Sequence, residues 1–321
     1  MKLASLNDGS RYGRLVVVSQ DLRRAKFVGI LAPNLPAALD DWDSVSPLLH
    51  MIYHELNQGP IAGSFELMLS QCIAPLSYAF EHYLALNYRP YIELLNAACQ
   101  HQHKPDPLPV VALASGQQCS ATAEISLSES VPLDFSVFLS AICGPIARYS
   151  QLDQCEQSIR LLALHNQIYS PQHLMAELNL GWGINHSFYQ LVSAPILVTP
   201  EELGEAWQAN MMNLPVITKL NGKPFAALNP WQDSHSDFAA ILMQLTQHRS
   251  LSAGAMLSIG PIMNQVQLSG PANLWSKAQQ TKEQGEFIGL SLGDTLEIYV
   301  QDDAGRNLFG RIKTMVKAAV S

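Results

Sequence analysis

The sequence predicts an α+β fold that is rich in β-structure and carries a small α/β module at its N-terminus. Most of the predicted strands are short and are separated by polar turns, as at Asn221-Gly222, a pair that favours a tight hairpin turn. Residues 295–300 alternate between apolar and polar side chains, as a half-buried strand does. Few stretches have helical spacing. Short strands with polar turns and few helices are typical of a rolled sheet.

The N-terminal module is predicted from a hairpin followed by two helices. The elements, in chain order, are strands at 3–5 and 15–19 and helices at 37–42 and 45–56. Pro47 is expected in the first turn of the second helix, where a missing N–H is tolerated. An apolar segment at 65–72 then leads into Ala74-Pro75-Leu76. The sequence therefore predicts a module at 1–77 and a main domain at 78–321.

The main domain is predicted to consist largely of strands. They lie at 133–139, 194–199, 215–220 and 295–300, and a helical stripe of apolar residues runs from 237 to 248. The strand at 133–139 is expected to end before Cys143-Gly144-Pro145, which reads as a turn.

Composition and charge limit the classes of function. The 321 residues carry a net charge of -8 and no run of Lys and Arg, so neither a nucleic acid nor an anionic membrane is an expected partner. No apolar run reaches the roughly 18 residues of a membrane span, and the N-terminus lacks the apolar core of a signal peptide. Five cysteines without a CxxC pair indicate reduced thiols and a cytoplasmic location.

Several segments together resemble the bacterial type of the fumarylacetoacetate hydrolase family that has an N-terminal module. They are residues 1–6, 13–19, 37–42, 74–76, 198–207, 220–225, 251–254 and 303–310, in the family's order. The resemblance covers nearly the whole chain. It implies a β-roll main domain, a homodimer, and a hydrolase that cleaves carbon–carbon bonds in acylpyruvate or β-diketone substrates with the help of Mg²⁺ or Ca²⁺.

The residues that would bind this metal are missing from the matching positions. In the family, a Glu-x-Glu strand and a later Asp hold the cation, because hard cations require several oxygen ligands and a spacing of two directs both glutamates to one face. The two glutamates align with Ser136 and Phe138, and the later Asp aligns with Gln167. Asp134 matches the family, but residues 115–120, where a further Asp is expected, contain no carboxylate. We therefore expect no metal cofactor.

Other family positions are also replaced. The His that is proposed to activate water aligns with Tyr91, whose phenol is a poor base at neutral pH. The substrate-facing Lys aligns with Phe188, the substrate-binding Thr aligns with Pro261, and a late acidic position falls near Ser276. The resemblance therefore implies a site whose catalytic groups have been lost together.

Some residues could supply replacement chemistry. His101 and His103 have a spacing that suits zinc on a strand, although a polar surface loop is the simpler interpretation. His165, His173 and His186 fall in segments that would line the old site, and His165 is more simply a structural histidine. Ser136 and Ser187 lack the motif of a nucleophile elbow, and Trp182 in Gly181-Trp182-Gly183 does not complete a nucleotide-binding loop. The pocket candidates are Tyr91, Asp134, Ser136, Phe138, Gln167, His186, Ser187, Phe188 and Tyr189.

Two hypotheses about function follow. The first is a non-catalytic or catalytically impaired dimer that retains a pocket for a small organic acid. The second is a hydrolase that works with replacement ligands or without a metal. Convergence of oxygen ligands around Ser136, Phe138 and Gln167 would favour the second hypothesis.

Overall fold

The fold is described from a computed structural model, which describes residues 1–99, 108–113, 116–127, 131–181, 183–281 and 287–319. The strands are β1 (Lys2–Leu6), β2 (Arg14–Val18), β3 (Arg24–Phe27), β4 (Ser64–Glu66), β5 (His82–Ala85), β6 (Val110–Ala112), β7 (Ile125–Leu127), β8 (Asp134–Cys143), β9 (Ile159–Tyr169), β10 (Phe188–Ser193), β11 (Leu197–Val198), β12 (Trp207–Gln208), β13 (Met211–Met212), β14 (Val216–Leu220), β15 (Lys223–Leu228), β16 (Met256–Ile259), β17 (Thr295–Gln301) and β18 (Asn307–Ala318). The helices are α1 (Leu35–Asp40), α2 (Trp42–Gln58), α3 (Arg89–Ala98), α4 (Leu152–Ser158), α5 (Pro171–Leu180), α6 (Phe238–Thr246) and α7 (Leu274–Thr281).

An 11-stranded mixed sheet forms the centre of the molecule. Its strand order is β4-β3-β2-β1-β11-β9-β8-β16-β5-β6, and β10 pairs with the second half of β9. The pair β8 and β9 is long and antiparallel, and almost every residue of both strands is buried. A second sheet, in the order β15-β14-β17-β18-β7, packs beside it. Strands buried on both faces provide a rigid support for side chains that project from them.

The two faces of the central sheet have different compositions. Val137, Leu139 and Ala141 project from β8 into the main apolar core. Because side chains alternate along a strand, the opposite face receives Asp134, Ser136, Phe138 and Ser140 from β8. The register of β9 places His165, Gln167 and Tyr169 opposite Phe138, Ser136 and Asp134. We call the face formed by these seven residues the site face.

The N-terminal hairpin and helices cover the end of this face. In β1 and β2, Leu3, Leu15 and Val17 pack with Leu35 and Leu49 from the helices. The same apolar cluster includes Ile142 of β8, Leu161 of β9 and Met256 of β16. The N-terminal segment therefore shares both a sheet and a core with the rest of the chain, and the division into 1–77 and 78–321 stays a prediction.

The predicted fold class is confirmed, and most of the named elements are present near the predicted positions. The turn at Asn221-Gly222 joins β14 to β15, and both of its residues have positive φ angles, 54° and 73°. Three details differ. The helix α2 begins at Trp42, so Pro47 lies inside the helix and not in its first turn. The strand predicted at 133–139 continues to Cys143, and only Leu197–Val198 of the strand predicted at 194–199 pair in a sheet. All five cysteines are free. No helix in the described part of the chain is long and apolar enough to cross a membrane.

Candidate functional site

Five of the predicted site residues meet above the site face and leave almost no space between them. One cavity of about 10 Å³ is lined by these five residues, which are Tyr91, Ser136, Phe138, Phe188 and Pro261. Aliphatic side chains from β5, α3 and α5 also line it. A cavity needs roughly 10–15 Å³ to hold a single water molecule. The space between these side chains is therefore about the size of one water molecule.

Phe138 provides much of this filling. Its side chain is 1% exposed, and its ring lies 6.2 Å from the ring of Phe188 at a tilt of 49°. Gly260 allows the ring to take this position, because a Cβ at Gly260 would lie 2.3 Å from Cδ1 of Phe138. A burial of this extent stabilises the fold by about 2–3 kcal/mol.

Asp134 is fully buried and is used as a cap for α7. Its Oδ1 accepts hydrogen bonds from the backbone N–H groups of Phe135 (2.8 Å) and Leu274 (3.1 Å), and its Oδ2 accepts from the N–H of Trp275 (2.7 Å). Tyr169 also directs its hydroxyl at Oδ2, at 3.4 Å. Burial raises the pKa of Asp134 to about 7, although these donors oppose the shift. The carboxylate of Asp134 is thus already engaged by backbone N–H donors of the protein itself.

A neutral network joins the remaining polar groups of the filled site. Asn273 donates from Nδ2 to Ser136 Oγ at 3.1 Å and to Tyr169 Oη at 3.0 Å. Its backbone N–H donates to Ser276 Oγ, and its Oδ1 accepts from the backbone N–H of Ser276. The Tyr91 hydroxyl lies 3.5 Å from that of Tyr169, and burial raises the pKa of both phenols. None of these groups is a base at neutral pH.

Gln167 lies on the site face but does not turn toward Ser136. Its Nε2 donates to the backbone carbonyls of Ile168 (2.9 Å) and Gln190 (3.1 Å). The amide therefore lines a second, larger cavity instead of the small one.

This larger cavity has a volume of about 260 Å³ and lies beside the filled site. Its buried floor contains the polar side chains of His82, Gln118 and Gln167, which are 6%, 5% and 3% exposed. Its mouth is formed by exposed residues that include Asn185 and Tyr189. A cleft with an open mouth and a few polar groups at its floor is a typical site for a small molecule.

A chain of buried hydroxyl groups leads to His82. Ser140 Oγ lies 2.7 Å from Ser258 Oγ, and Ser258 Oγ lies 2.8 Å from His82 Nε2. Burial lowers the pKa of His82 to about 3, so its ring is neutral at physiological pH. The strands β8, β16 and β5 are neighbours, so the chain of hydrogen bonds crosses three strands.

His165 lies next along the site face, opposite Phe138. Its side chain is 1% exposed, and neither Nδ1 nor Nε2 has a hydrogen-bond partner among the residues that the structure describes. Burial and the neighbouring His82 lower its pKa to about 3. It is therefore buried, as a structural histidine would be, but its polar atoms are not satisfied.

The loop before β10 is held by Glu177 of α5. The carboxylate accepts hydrogen bonds from the backbone N–H groups of Asn185 (2.9 Å), His186 (2.5 Å) and Ser187 (3.2 Å), and from Ser187 Oγ (2.7 Å). His186 is exposed and lines neither of the two cavities. Ser187 is buried, and its hydroxyl is occupied by Glu177, which gives it a structural role.

The other candidate residues have separate positions. His173 stacks on Tyr189 with an interplanar angle of 18°, and its Nδ1 lies 3.1 Å from the Tyr189 hydroxyl. The predicted pair His101 and His103 and the residue Trp182 lie outside the described residues.

The residues present do not fit a hard divalent cation. Ser136, Phe138 and Gln167 offer no carboxylate. The carboxylate of Asp134 already accepts hydrogen bonds from the backbone N–H groups of Leu274 and Trp275. Within the described ranges, no group of three or more His, Cys, Asp or Glu side chains could hold a metal ion. Mg²⁺ and Ca²⁺ take six or more oxygen ligands, some of which are water, and protein sites for them include carboxylates, which the filled site does not provide.

The sequence and the fold are similar to known proteins. Residues 1–77 match the family model described as fumarylacetoacetase N-terminal domain 2. A fumarylacetoacetate hydrolase from psychrophilic Exiguobacterium antarcticum superposes with a TM-score of 0.67 at 14% identity, covering 99% of this chain and 100% of that one. Maleylpyruvate hydrolase from Sphingobium sp. SYK-6, in complex with manganese(II) and pyruvate, gives 0.64 at 14% identity, covering 100% of both chains.

A third structure, the 2-hydroxyhepta-2,4-diene-1,7-dioate isomerase from Mycobacterium marinum, gives a TM-score of 0.61 at 13% identity and covers 100% of both chains. A comparison with curated proteins gives no match. The molecule is thus an α+β protein built on a rolled mixed sheet. More specifically, it has the fold of fumarylacetoacetate hydrolase family proteins and an N-terminal segment that matches their N-terminal domain, so the predicted resemblance is confirmed.

Sequence reasoning missed several polar residues that line the larger cavity or form the buried networks beside the two cavities. Ser258 is the one polar residue of β16, and His82 and Ser140 are polar residues of fully buried strands, which is the signal that could have identified them. Gln118 and Asn273 lie in irregular segments without a comparable pattern. Their positions become evident only from the fold.

Proposed function

We propose that this chain is a fumarylacetoacetate hydrolase-like protein that binds a small organic molecule and does not carry out the family's metal-dependent cleavage. The observation that supports the proposal is the aromatic filling of the metal position. Phe138 and Phe188 occupy the space between Ser136 and Pro261, and the cavity left there is about 10 Å³. A substrate and a hydrated cation require far more space than one water molecule.

The chemistry of the filled site supports the same proposal. The family reaction needs a cation that polarises a carbonyl group and stabilises the enolate left by cleavage. In this chain the equivalent groups are a hydroxyl, a phenyl ring and an amide, and the position of the family's histidine base is occupied by the buried phenol Tyr91. Asp134 accepts three backbone hydrogen bonds and caps α7.

Binding is assigned in this proposal to the larger cavity. Its buried amide and imidazole groups can orient a ligand, and its mouth at Asn185 and Tyr189 allows entry from solvent. The assembly implied by the resemblance is a homodimer, and multi-angle light scattering of the purified protein would determine whether it forms.

The first experiment measures metal content of the purified protein and titrates Mg²⁺, Mn²⁺ and Ca²⁺ by calorimetry, followed by an acylpyruvate hydrolysis assay. We expect no binding at micromolar metal concentrations and no turnover. Tight metal binding accompanied by hydrolysis would contradict the proposal and make the chain a hydrolase with replacement ligands, which is the alternative function.

A reconstruction variant checks the assignment of the metal position. Changing Ser136→Glu, Phe138→Glu and Gln167→Asp places three carboxylates on the site face, so we expect measurable Mg²⁺ or Mn²⁺ affinity. The matched control carries Ser136→Gln, Phe138→Gln and Gln167→Asn, which have similar shapes without the charges. If both variants have the same metal titration, these positions are not the equivalents of the family's ligands.

A further inference from the structure

We infer that the 260 Å³ cavity selects an uncharged polar molecule, and that His82 offers this molecule an N–H donor from Nδ1. The inference rests on the proposed function and specifies the class of ligand. It differs from the small organic acid that the family resemblance implies, because the lining of the cavity has no charge to match an acid.

The charge of the lining is the first step of the argument. The described residues that line the cavity are apolar or carry neutral polar groups, among them the amides of Gln118, Gln167, Asn185 and Gln190. None of them is Lys, Arg, Asp or Glu, and the depressed pKa of His82 keeps its ring neutral. An ionised carboxylate that entered this floor would lose hydration without gaining a cation.

The hydrogen-bond chain fixes the tautomer of His82. If Ser140 donates to Ser258 and Ser258 donates to His82 Nε2, each buried hydroxyl proton has an acceptor. In the reverse direction the Ser140 proton would need another acceptor, and no other side-chain hydrogen bond of Ser140 is present among the described residues. Buried donors are rarely left unpaired, so the first direction is favoured. His82 Nε2 is then an acceptor, and Nδ1 carries the proton.

Gln118 adds an acceptor at the same floor. It is 5% exposed, and its Oε1 is buried with no hydrogen-bond partner in the described ranges. Its Nε2 lies 3.8 Å from Met256 Sδ, which orients the amide. A ligand that presents both an acceptor and an N–H or O–H donor, such as a primary amide or a lactam, would therefore satisfy both His82 and Gln118.

The volume limits the size of the ligand. At about 30 Å³ for each water molecule, 260 Å³ corresponds to roughly nine waters. A molecule with about ten non-hydrogen atoms fits, and nicotinamide and succinamide are suitable probes. Nicotinate and succinate are their matched acids, with similar shapes and a negative charge at neutral pH.

The experiment titrates both pairs into the full chain and follows the histidine ring ¹⁵N resonances and the side-chain amide of Gln118 by NMR. We expect each amide to bind at least about 10-fold more tightly than its acid, with shifts at His82 and Gln118. Before any ligand is added, His82 should show a protonated Nδ1 and an unprotonated Nε2.

Two serine variants test the hydrogen-bond chain. Ser258→Ala removes the donor to His82 Nε2, so the ring is expected to populate the other tautomer and nicotinamide to bind roughly 2- to 10-fold more weakly. Ser140→Ala is the matched control, because Ser258 still donates to His82 and the tautomer is expected to stay. The comparison of amides with acids uses the unchanged protein, so it does not depend on whether the variants fold.

Three results would overturn the inference: equal or tighter binding of the acids, no binding of either amide up to its solubility, or a protonated Nε2 in the free protein. Failure of the proposed function has a different signature, because it appears as metal binding with acylpyruvate turnover in the same preparation.

Discussion

Replacement of His165 by Leu is expected to make the protein more stable. His165 lies on β9 and is fully buried between β8 and β10, and within the described part of the chain neither of its ring nitrogens has a partner. Leu has a similar volume and no polar atoms. His165→Leu therefore removes two buried ring nitrogens whose lost hydration no hydrogen bond compensates, which stabilises the fold by about 1–3 kcal/mol. This gain is expected at pH 8, where the histidine is neutral in both the folded and the unfolded states.

The gain should increase as the pH falls. Burial lowers the pKa of His165 from 6.5 to about 3 in the folded state, so between these values only the unfolded chain binds the proton. His165 therefore destabilises the fold progressively below pH 6.5, by 1.36 kcal/mol for each pH unit. At pH 5 this adds about 2 kcal/mol to the advantage of the Leu variant, which brings the total to roughly 3–5 kcal/mol.

Thermal unfolding at pH 8, 6.5 and 5, monitored by circular dichroism, would measure the difference. For a chain of this size, each 1 kcal/mol corresponds to a shift in Tm of roughly 2 °C. The control is His235→Leu on the exposed surface, for which a change within about 0.5 kcal/mol is expected. A Leu variant that is less stable than the parent at pH 8 would refute the reasoning, since it would mean that the ring nitrogens hold a partner.

Three further changes test other parts of the site. Asp134→Ala leaves three buried N–H groups without an acceptor and should lower the free energy of unfolding by about 3 kcal/mol or more in urea titrations. Phe138→Ala should cost about 3–5 kcal/mol by the same measurement, because it empties a packed site. Glu177→Gln should increase hydrogen exchange at residues 185–187 at least about 10-fold, because the amide cannot accept all four hydrogen bonds.

Each of these changes has a control at an exposed position. The control for Asp134→Ala is Asp153→Ala, the control for Phe138→Ala is Ile30→Ala, and the control for Glu177→Gln is Glu93→Gln. In each control the side chain that is changed is exposed to solvent. We expect little effect from each control. If Asp134→Ala or Phe138→Ala is no more harmful than its control, the described packing is wrong. Unchanged exchange at 185–187 would show that Glu177 does not hold the loop.

Local patterns in the sequence were sufficient for much of the fold. The alternation at 295–300 and the turn at Asn221-Gly222 depend on neighbouring residues, and both correspond to elements of the second sheet. The strand β9 was not predicted, because Ile159–Tyr169 is buried on both faces and lacks the alternation that marks a half-buried strand. The start of α2 was misplaced because Pro47 normally marks a first turn.

Only part of the candidate site could be predicted from the sequence, because some of its residues meet through contacts between distant segments. The assignment of the family's two glutamate positions to Ser136 and Phe138 stays a prediction from the sequence. The floor of the larger cavity depends on contacts between distant segments, since His82 and Ser258 are separated by 176 residues and meet through the pairing of β5 with β16. Such a contact follows from sheet topology and has no local signal.

The close approach of Gly260 to Phe138 has a consequence for the history of this chain. A Cβ at 260 would lie 2.3 Å from the phenyl ring and 2.9 Å from the carbonyl oxygen of Val137. In this packing, the ring at 138 and the carbonyl of Val137 therefore leave no room for a side chain at 260. The two positions are expected to be inherited together, so that among related sequences Phe at the first is accompanied by Gly at the second.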